Sequence, residues 1–149
     1  MRKHFSATVY VVNRINGDPK VLLHMHKKHN HWYGLGGHVE AEEDPVEAAI
    51  REAKEEAGID VTIFSGHPLK TFNHAHELIA PSLLMDQDIN GDHRHIDCIY
   101  FGTTTNPSKV TMNEEFRWCS QKDLDGMDLQ EDTRYIVKQA LEAYKSSGF

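Results

Sequence analysis

Apolar and β-branched residues first gather in two short runs, Ser6–Val12 and Val21–Met25, separated by Asn16-Gly17-Asp18-Pro19. Such runs on either side of a turn-forming cluster predict a hairpin or two neighbouring strands. A polar stretch, Lys27–His31, then leads into Trp32-Tyr33-Gly34-Leu35-Gly36-Gly37. The period changes after that. Asp44 can cap a helix, Pro45 suits its first position, Glu47 completes an Asp-x-x-Glu capping pattern, and Gly58 supplies a stop. Strands are predicted next at Val61–Phe64, Leu78–Met85, Ile96–Thr104 and Phe116–Cys119. Ser120 and Asp123 can cap a short helix, and a last helix is predicted over Thr133–Tyr144. There Ile136, Val137, Ala140, Leu141 and Tyr144 form one apolar stripe. Strands interleaved with two or three helices predict an α/β or α+β sandwich.

Composition narrows the class. At 149 residues, with 39% hydrophobic and 26% charged positions, the chain reads as one globular domain over 1–149. Its apolar runs fall short of the ~20 residues that span a membrane. The basic N-terminus, Met1-Arg2-Lys3-His4-Phe5, has no apolar signal core behind it, so the expected location is cytoplasmic. Cys98 and Cys119 each lie in apolar surroundings and are expected as buried, reduced thiols. A net charge of -7 argues against broad binding to a nucleic-acid polymer. It also means that a phosphate-bearing ligand would need metal ions or a locally basic pocket.

The candidate chemistry sits on the Asp44–Gly58 helix. At ~100° per residue, Val46, Ala49, Ile50, Ala53 and Ala57 are expected to face the core. Glu52, Glu55 and Glu56 gather beside that seam, because Glu52 meets Glu55 at i+3 and Glu56 at i+4. Like charges at these spacings repel, and carboxylates in the last turn oppose the helix dipole. Divalent cations held by carboxylate oxygens would reverse both penalties. The competing reading is a solvated acidic face aided by Arg51 and Lys54. The glycine-rich turn of Gly34, Gly36 and Gly37, which lets backbone approach a ligand, tips the balance toward a site.

These residues resemble a known family. Gly37, five residues, Glu43, seven residues, then Arg51-Glu52-Ala53-Lys54-Glu55-Glu56-Ala57-Gly58-Ile59 is similar to a complete Nudix box. The resemblance implies an α/β/α sandwich with a mixed β-sheet. It also implies hydrolysis of a phosphoanhydride bond in a nucleoside diphosphate-linked substrate, with Mg²⁺ or Mn²⁺. Carried over by position, Glu52, Glu55 and Glu56 are implied metal carboxylates and the Gly37 carbonyl a further ligand. Arg51 and Glu43 are the implied salt bridge that holds the loop to the helix. Glu52 is a candidate general base; Glu114 and Glu115, just before Trp118, are the candidates from a later loop. Leu35 and Glu42 depart from the proline and glycine found in many relatives. No proline stands about fifteen residues past the box, where His74 lies, and no tyrosine stands there either. The substrate expected is a small nucleotide-like molecule; whether the chain pairs as a homodimer stays open.

Further candidates surround this core. Lys27, Lys28 and Arg94 can offer positive charge, Trp32, Tyr33, Phe72 and Tyr100 are candidates for stacking on a base, and Trp118 reads as core. Eleven histidines include the pairs His24/His26, His29/His31, His74/His76 and His93/His95. On a strand each pair shares a face, so two pairs could build a zinc site; ordinary surface or pocket histidines are the competing reading. His38 lies within the box loop. Three functions follow: a hydrolase, a catalytically silent nucleotide-binding regulatory module with the same fold, and a histidine-based zinc protein. The intact glutamates favour the first.

Overall fold

A computed structural model describes residues 2–149. Among them, eight strands form one mixed sheet: β1 (Lys3–Ile15), β2 (Asp18–His26), β3 (His31–Tyr33), β4 (Leu35–His38), β5 (Val61–Ile63), β6 (Leu83–Ile89), β7 (His93–Thr104) and β8 (Phe116–Cys119). Three α-helices accompany them: α1 (Pro45–Ala57), α2 (Gln121–Asp125) and α3 (Glu131–Ser147). Strand β1 is the centre of the molecule. It runs parallel to β7 and antiparallel to both β2 and β4. Its side chains alternate between two cores. Ala7, Val9 and Val11 pack on the side of α1, while Tyr10 and Val12 pack with Ile136, Val137, Ala140 and Leu141 of α3. The expected α/β/α layering follows from that alternation.

Several boundaries differ from the periodicity. The β1–β2 turn needs only Asn16 and Gly17, both at positive φ, so Asp18 and Pro19 begin the returning strand. Strand β6 starts at Leu83 rather than Leu78 and runs on through Gln87 and Asp88. Antiparallel pairing with β7, from Leu83↔Ile99 to Ile89↔His93, sets its length, and Pro81 lies in the extended lead-in that lacks a ladder. Helix α3 extends three residues past Tyr144 and stops at Gly148, which takes the left-handed conformation at φ 67. Both capping boxes form as the spacing predicts, on Asp44 and on Ser120. Cys98 and Cys119 are buried and unpaired. Among the described residues no helix is long and apolar enough to cross a membrane.

Candidate active site

Helix α1 buries most of the seam that its apolar residues suggested, but its buried arc is turned away from Ile50 and toward Ala48. Ala49 and Ala53 are buried and Val46 and Ala57 pack partly against the core, but Ile50 is 38% exposed and Ala48 is fully buried. On a helical wheel of ~100° per residue, Glu52 and Glu56 fall between Ala48 on one side and Ala49 and Ala53 on the other. The two glutamates therefore lie in the middle of the buried arc, not beside it. Their side chains are only 17% and 22% exposed. Alanines on either side allow the helix to approach the sheet closely, and two glycines complete the fit. A Cβ on Gly37 would stand 2.5 Å from Glu52 Oε1. The Gly36 amide donates to Glu56 Oε1 at 2.8 Å.

A break in the sheet gives Glu56 its second neighbour. Strand β1 pairs with β4 along Ser6–Val9 and with β2 along Val12–Ile15. Glu56 bridges the interval, with His24 Nδ1 of β2 lying 3.2 Å from its Oε2. The other ring nitrogen of His24 is 3.2 Å from Glu115 Oε1, and the ring stacks on Phe116 at 4.6 Å. Pairing of β8 with β2 sets His24 opposite Phe116 and so brings Glu115 to the site. Glu114 stays exposed. Hydrogen bonding to Glu56 raises the His24 pKa, against the opposing effect of burial, with Glu115 adding to the rise.

Arg51 ties the turn to the helix. It donates to both Glu43 oxygens, from Nε at 3.0 Å and Nη2 at 2.7 Å, and to the His38 carbonyl at 3.1 Å. Its Nη1 donates to Glu52 at 2.9 Å and to Glu55 at 3.2 Å. The guanidinium bond holds Glu43 below the ordinary carboxylate range. Burial raises Glu52 instead; the Arg51 bond opposes the rise, and Glu56 and Glu55 add to it. Glu55 is the outlying member, 59% exposed and linked to Glu52 through the shared Arg51 nitrogen. Among the described residues, no three His, Cys, Asp or Glu side chains already surround one metal position. The donor chemistry still fits a hard divalent ion: carboxylate oxygens on one helix face, against a backbone turn with no room for a side chain.

A cleft of about 600 Å³ opens beside Glu56, Gly36 and Gly37. Its floor is the part of the sheet that α3 leaves uncovered, and α3 contributes Asp132 to the rim, beside Gln130. A buried carboxylate lies there too: Asp97, 5% exposed, accepts from Ser6 Oγ and Thr8 Oγ1 at 3.0 Å each. Burial raises its pKa, and the two hydroxyls work against the rise. His26 Nδ1 is buried without a hydrogen-bond partner and lies in the same wall. Of the stacking candidates, Tyr33 lines the cleft and donates to Gln130 at 2.9 Å. Tyr100 is core, Trp32 packs partly against α3's core, and Phe72 stands exposed on a separate loop. Lys28 lines the cleft, whereas Arg94 is held by Asp86 at 2.6 Å.

The histidine pairs separate. His24 joins the glutamates, and His26 lies against His29 with ring centroids 4.6 Å apart. His74 and His76 sit on an exposed loop. His93 and His95 meet His4 and His38 beside the box turn. Burial first, and then the neighbouring rings, push His95 down to about 4. Nothing in the His-x-His spacing announced His4 or His38 as partners, and nothing in the local pattern marked Asp97. All three depend on which strands become neighbours.

Fold and site together define a mixed α/β protein in which an acidic helix meets a glycine turn at the edge of a ligand-sized cleft. A model of the NUDIX domain matches residues 4–140. Among solved structures, a NUDIX-family hydrolase from Clostridium perfringens is 34% identical, covers 96% of this chain and 99% of its own, and superposes with a TM-score of 0.79. An Ap4A hydrolase from C. elegans is 24% identical over 98% of this chain and 99% of its own, with a TM-score of 0.70. The NUDIX domain of Shewanella oneidensis NrtR, solved with ADP ribose, is 14% identical over 96% of this chain and 89% of its own, with a TM-score of 0.67. These last two likenesses show the fold alone. A comparison with curated proteins finds no match. The chain belongs to the Nudix hydrolase family, enzymes that cleave pyrophosphate bonds in nucleotide substrates.

Proposed function

We propose that this chain hydrolyses the phosphoanhydride bond of a small nucleoside diphosphate-linked substrate, with Mg²⁺ or Mn²⁺ held by Glu52, Glu55, Glu56 and the Gly37 carbonyl. The observation that carries this reading is the burial of Glu52 and Glu56 in the middle of the α1 core arc, where two apolar side chains would stabilise the protein better. Desolvated carboxylates are costly unless something offsets them. When bound, such ions neutralise phosphate oxygens and lower the pKa of water.

The remaining roles belong to the chain's own groups. Arg51 fixes the loop by its two hydrogen bonds to Glu43 and its bond to the carbonyl of His38, the residue that follows Gly37. The Gly36 amide and His24 each engage one oxygen of Glu56 and so fix the orientation of its carboxylate. Glu115 is the favoured proton acceptor from attacking water, because Glu52 is assigned to the metal and is held by Arg51 at 2.9 Å, whereas Glu115 is brought to the site by His24 without a cationic arginine on it. General-base catalysis of this kind contributes typically ~10²–10⁴-fold. A base and ribose fit the cleft toward Tyr33, Asp97 and His26, with Asp97 and His26 Nδ1 able to meet polar base or sugar groups.

The test is a panel of nucleoside triphosphates, dinucleoside polyphosphates and nucleotide sugars, incubated with Mg²⁺ or Mn²⁺ in ¹⁸O-water and resolved by mass spectrometry. The expected result is metal-dependent release of a mononucleotide product, with one labelled phosphorus. Glu115→Gln is expected to lower kcat more than Glu114→Gln does. Failure of every substrate with either ion would favour a silent binding module.

A further inference from the structure

Four histidines lie outside the carboxylate machinery, and strand register explains why they meet. His4 of β1 is the direct partner of His95 of β7, and His93 precedes it by two residues on the same face. On the other side of β1, the β4 pairing sets His38 against Ser6, which also shares the face of His4. Three strands thus deliver four imidazoles to one spot at the mouth of the cleft. His95 Nε2 lies 3.2 Å from His38 Nε2 and 3.1 Å from His93 Nε2. The His4 ring centroid is 5.2 Å from that of His93 and 5.4 Å from that of His38.

We propose that His4, His38, His93 and His95 form a second, all-nitrogen metal site for an ion of the zinc class. Three features support it. First, a tetrahedral site with Zn–N of ~2.0–2.1 Å separates its ligand nitrogens by ~3.3 Å, close to the two spacings that His95 makes with His38 and His93, with the His4 ring beside them. Second, His93 Nδ1 lies 3.0 Å from Asp92 Oδ2. A carboxylate that accepts a hydrogen bond from Nδ1–H favours the tautomer whose Nε2 carries the lone pair and holds the ring, the usual outer partner of a metal-bound histidine. Third, the protein alone cannot satisfy the junction. A neutral ring nitrogen carries either one proton or one lone pair, so His95 Nε2 cannot serve both neighbours at once. A cation among the three nitrogens accepts all of their lone pairs. The rings touch one another rather than a common centre, so ion entry requires them to turn.

The donor set separates this site from the glutamates. Imidazole nitrogens suit zinc, nickel and copper, whereas carboxylate and carbonyl oxygens suit magnesium and manganese. Two ions of different class can therefore occupy adjacent sites. Because His38 follows Gly37 directly, an ion here would also pin the turn that faces the glutamates. The proposal goes beyond the hydrolase reading and does not depend on it.

The full chain, stripped of metal with a chelator, is titrated with Zn²⁺ by calorimetry and with Co²⁺ by visible absorption. One equivalent with the intense bands of tetrahedral cobalt is expected. His95→Ala and His93→Gln are each expected to weaken binding at least tenfold, and Asp92→Asn about tenfold. The double variant Glu52→Gln/Glu56→Gln is expected to keep the cobalt spectrum unchanged. Thermal melts of each apo variant confirm that it is folded. Absence of tetrahedral binding in the wild type, or binding lost with the glutamates but kept in His95→Ala, overturns the proposal.

Discussion

Helices α1 and α3 cover opposite faces of the same sheet but fill their buried arcs differently. Helix α3 buries Thr133, Ile136, Val137, Ala140 and Leu141, four of them apolar and two of those large. Helix α1 buries three alanines and places two glutamates between them. One helix is built for cohesion. The other keeps a short side-chain layer so that carboxylates can sit against a glycine turn. Stability and chemistry are thus assigned to different faces of β1, and substitutions should separate them.

The largest effect is expected from Leu141→Ala in α3. Removing a side chain that is 1% exposed should cost about 2–5 kcal/mol in chemical denaturation. The kcat per folded molecule should stay near wild type, because Leu141 does not line the cleft. Glu56→Gln in α1 should show the reverse. Turnover should fall by at least ~10²-fold as a ligand charge is lost. The melting temperature should hold, since an amide oxygen can still accept from Gly36. A Glu56→Gln variant that melts early but turns over normally would assign Glu56 to structure. Asp44→Ala, which removes the α1 cap without touching the site, should cost about 1 kcal/mol in denaturation. Ile50→Lys should change stability by less than ~0.5 kcal/mol, as expected of an exposed position; a loss of several kcal/mol would restore the seam that periodicity implies.

The contrast also shows what could be read from the chain. Helix α3 was legible because its stripe is large and continuous, so the 3.6-residue period points one way. In α1 the helix, both caps and the three glutamates were legible, but its rotation was not. Alanine scores as apolar on either face, so Ile50 drew the predicted seam away from Ala48, although Val46, Ala49, Ala53 and Ala57 do pack against the core. Only contact with Gly36 and Gly37 of β4 settles which arc is inside. Glu115 could be proposed as a later-loop acid, yet its link to Glu56 depends on the β2–β8 register that puts His24 between them. Asp97 and the His4/His38/His93/His95 group were invisible for the same reason. Each is assembled across β1 by strands far apart in sequence, with His4 and His95 as direct partners, and local pattern carries no register between distant strands.

Crystals soaked in manganese, read by anomalous scattering, test the central claim most directly. The account predicts Mn²⁺ bound to Glu52 and Glu56 beside the Gly37 carbonyl, with Glu55 released from Arg51 toward the ion, and no such signal in Glu52→Gln/Glu56→Gln. Anomalous density that is absent from this turn in the wild type, or that persists in the double variant, would contradict it.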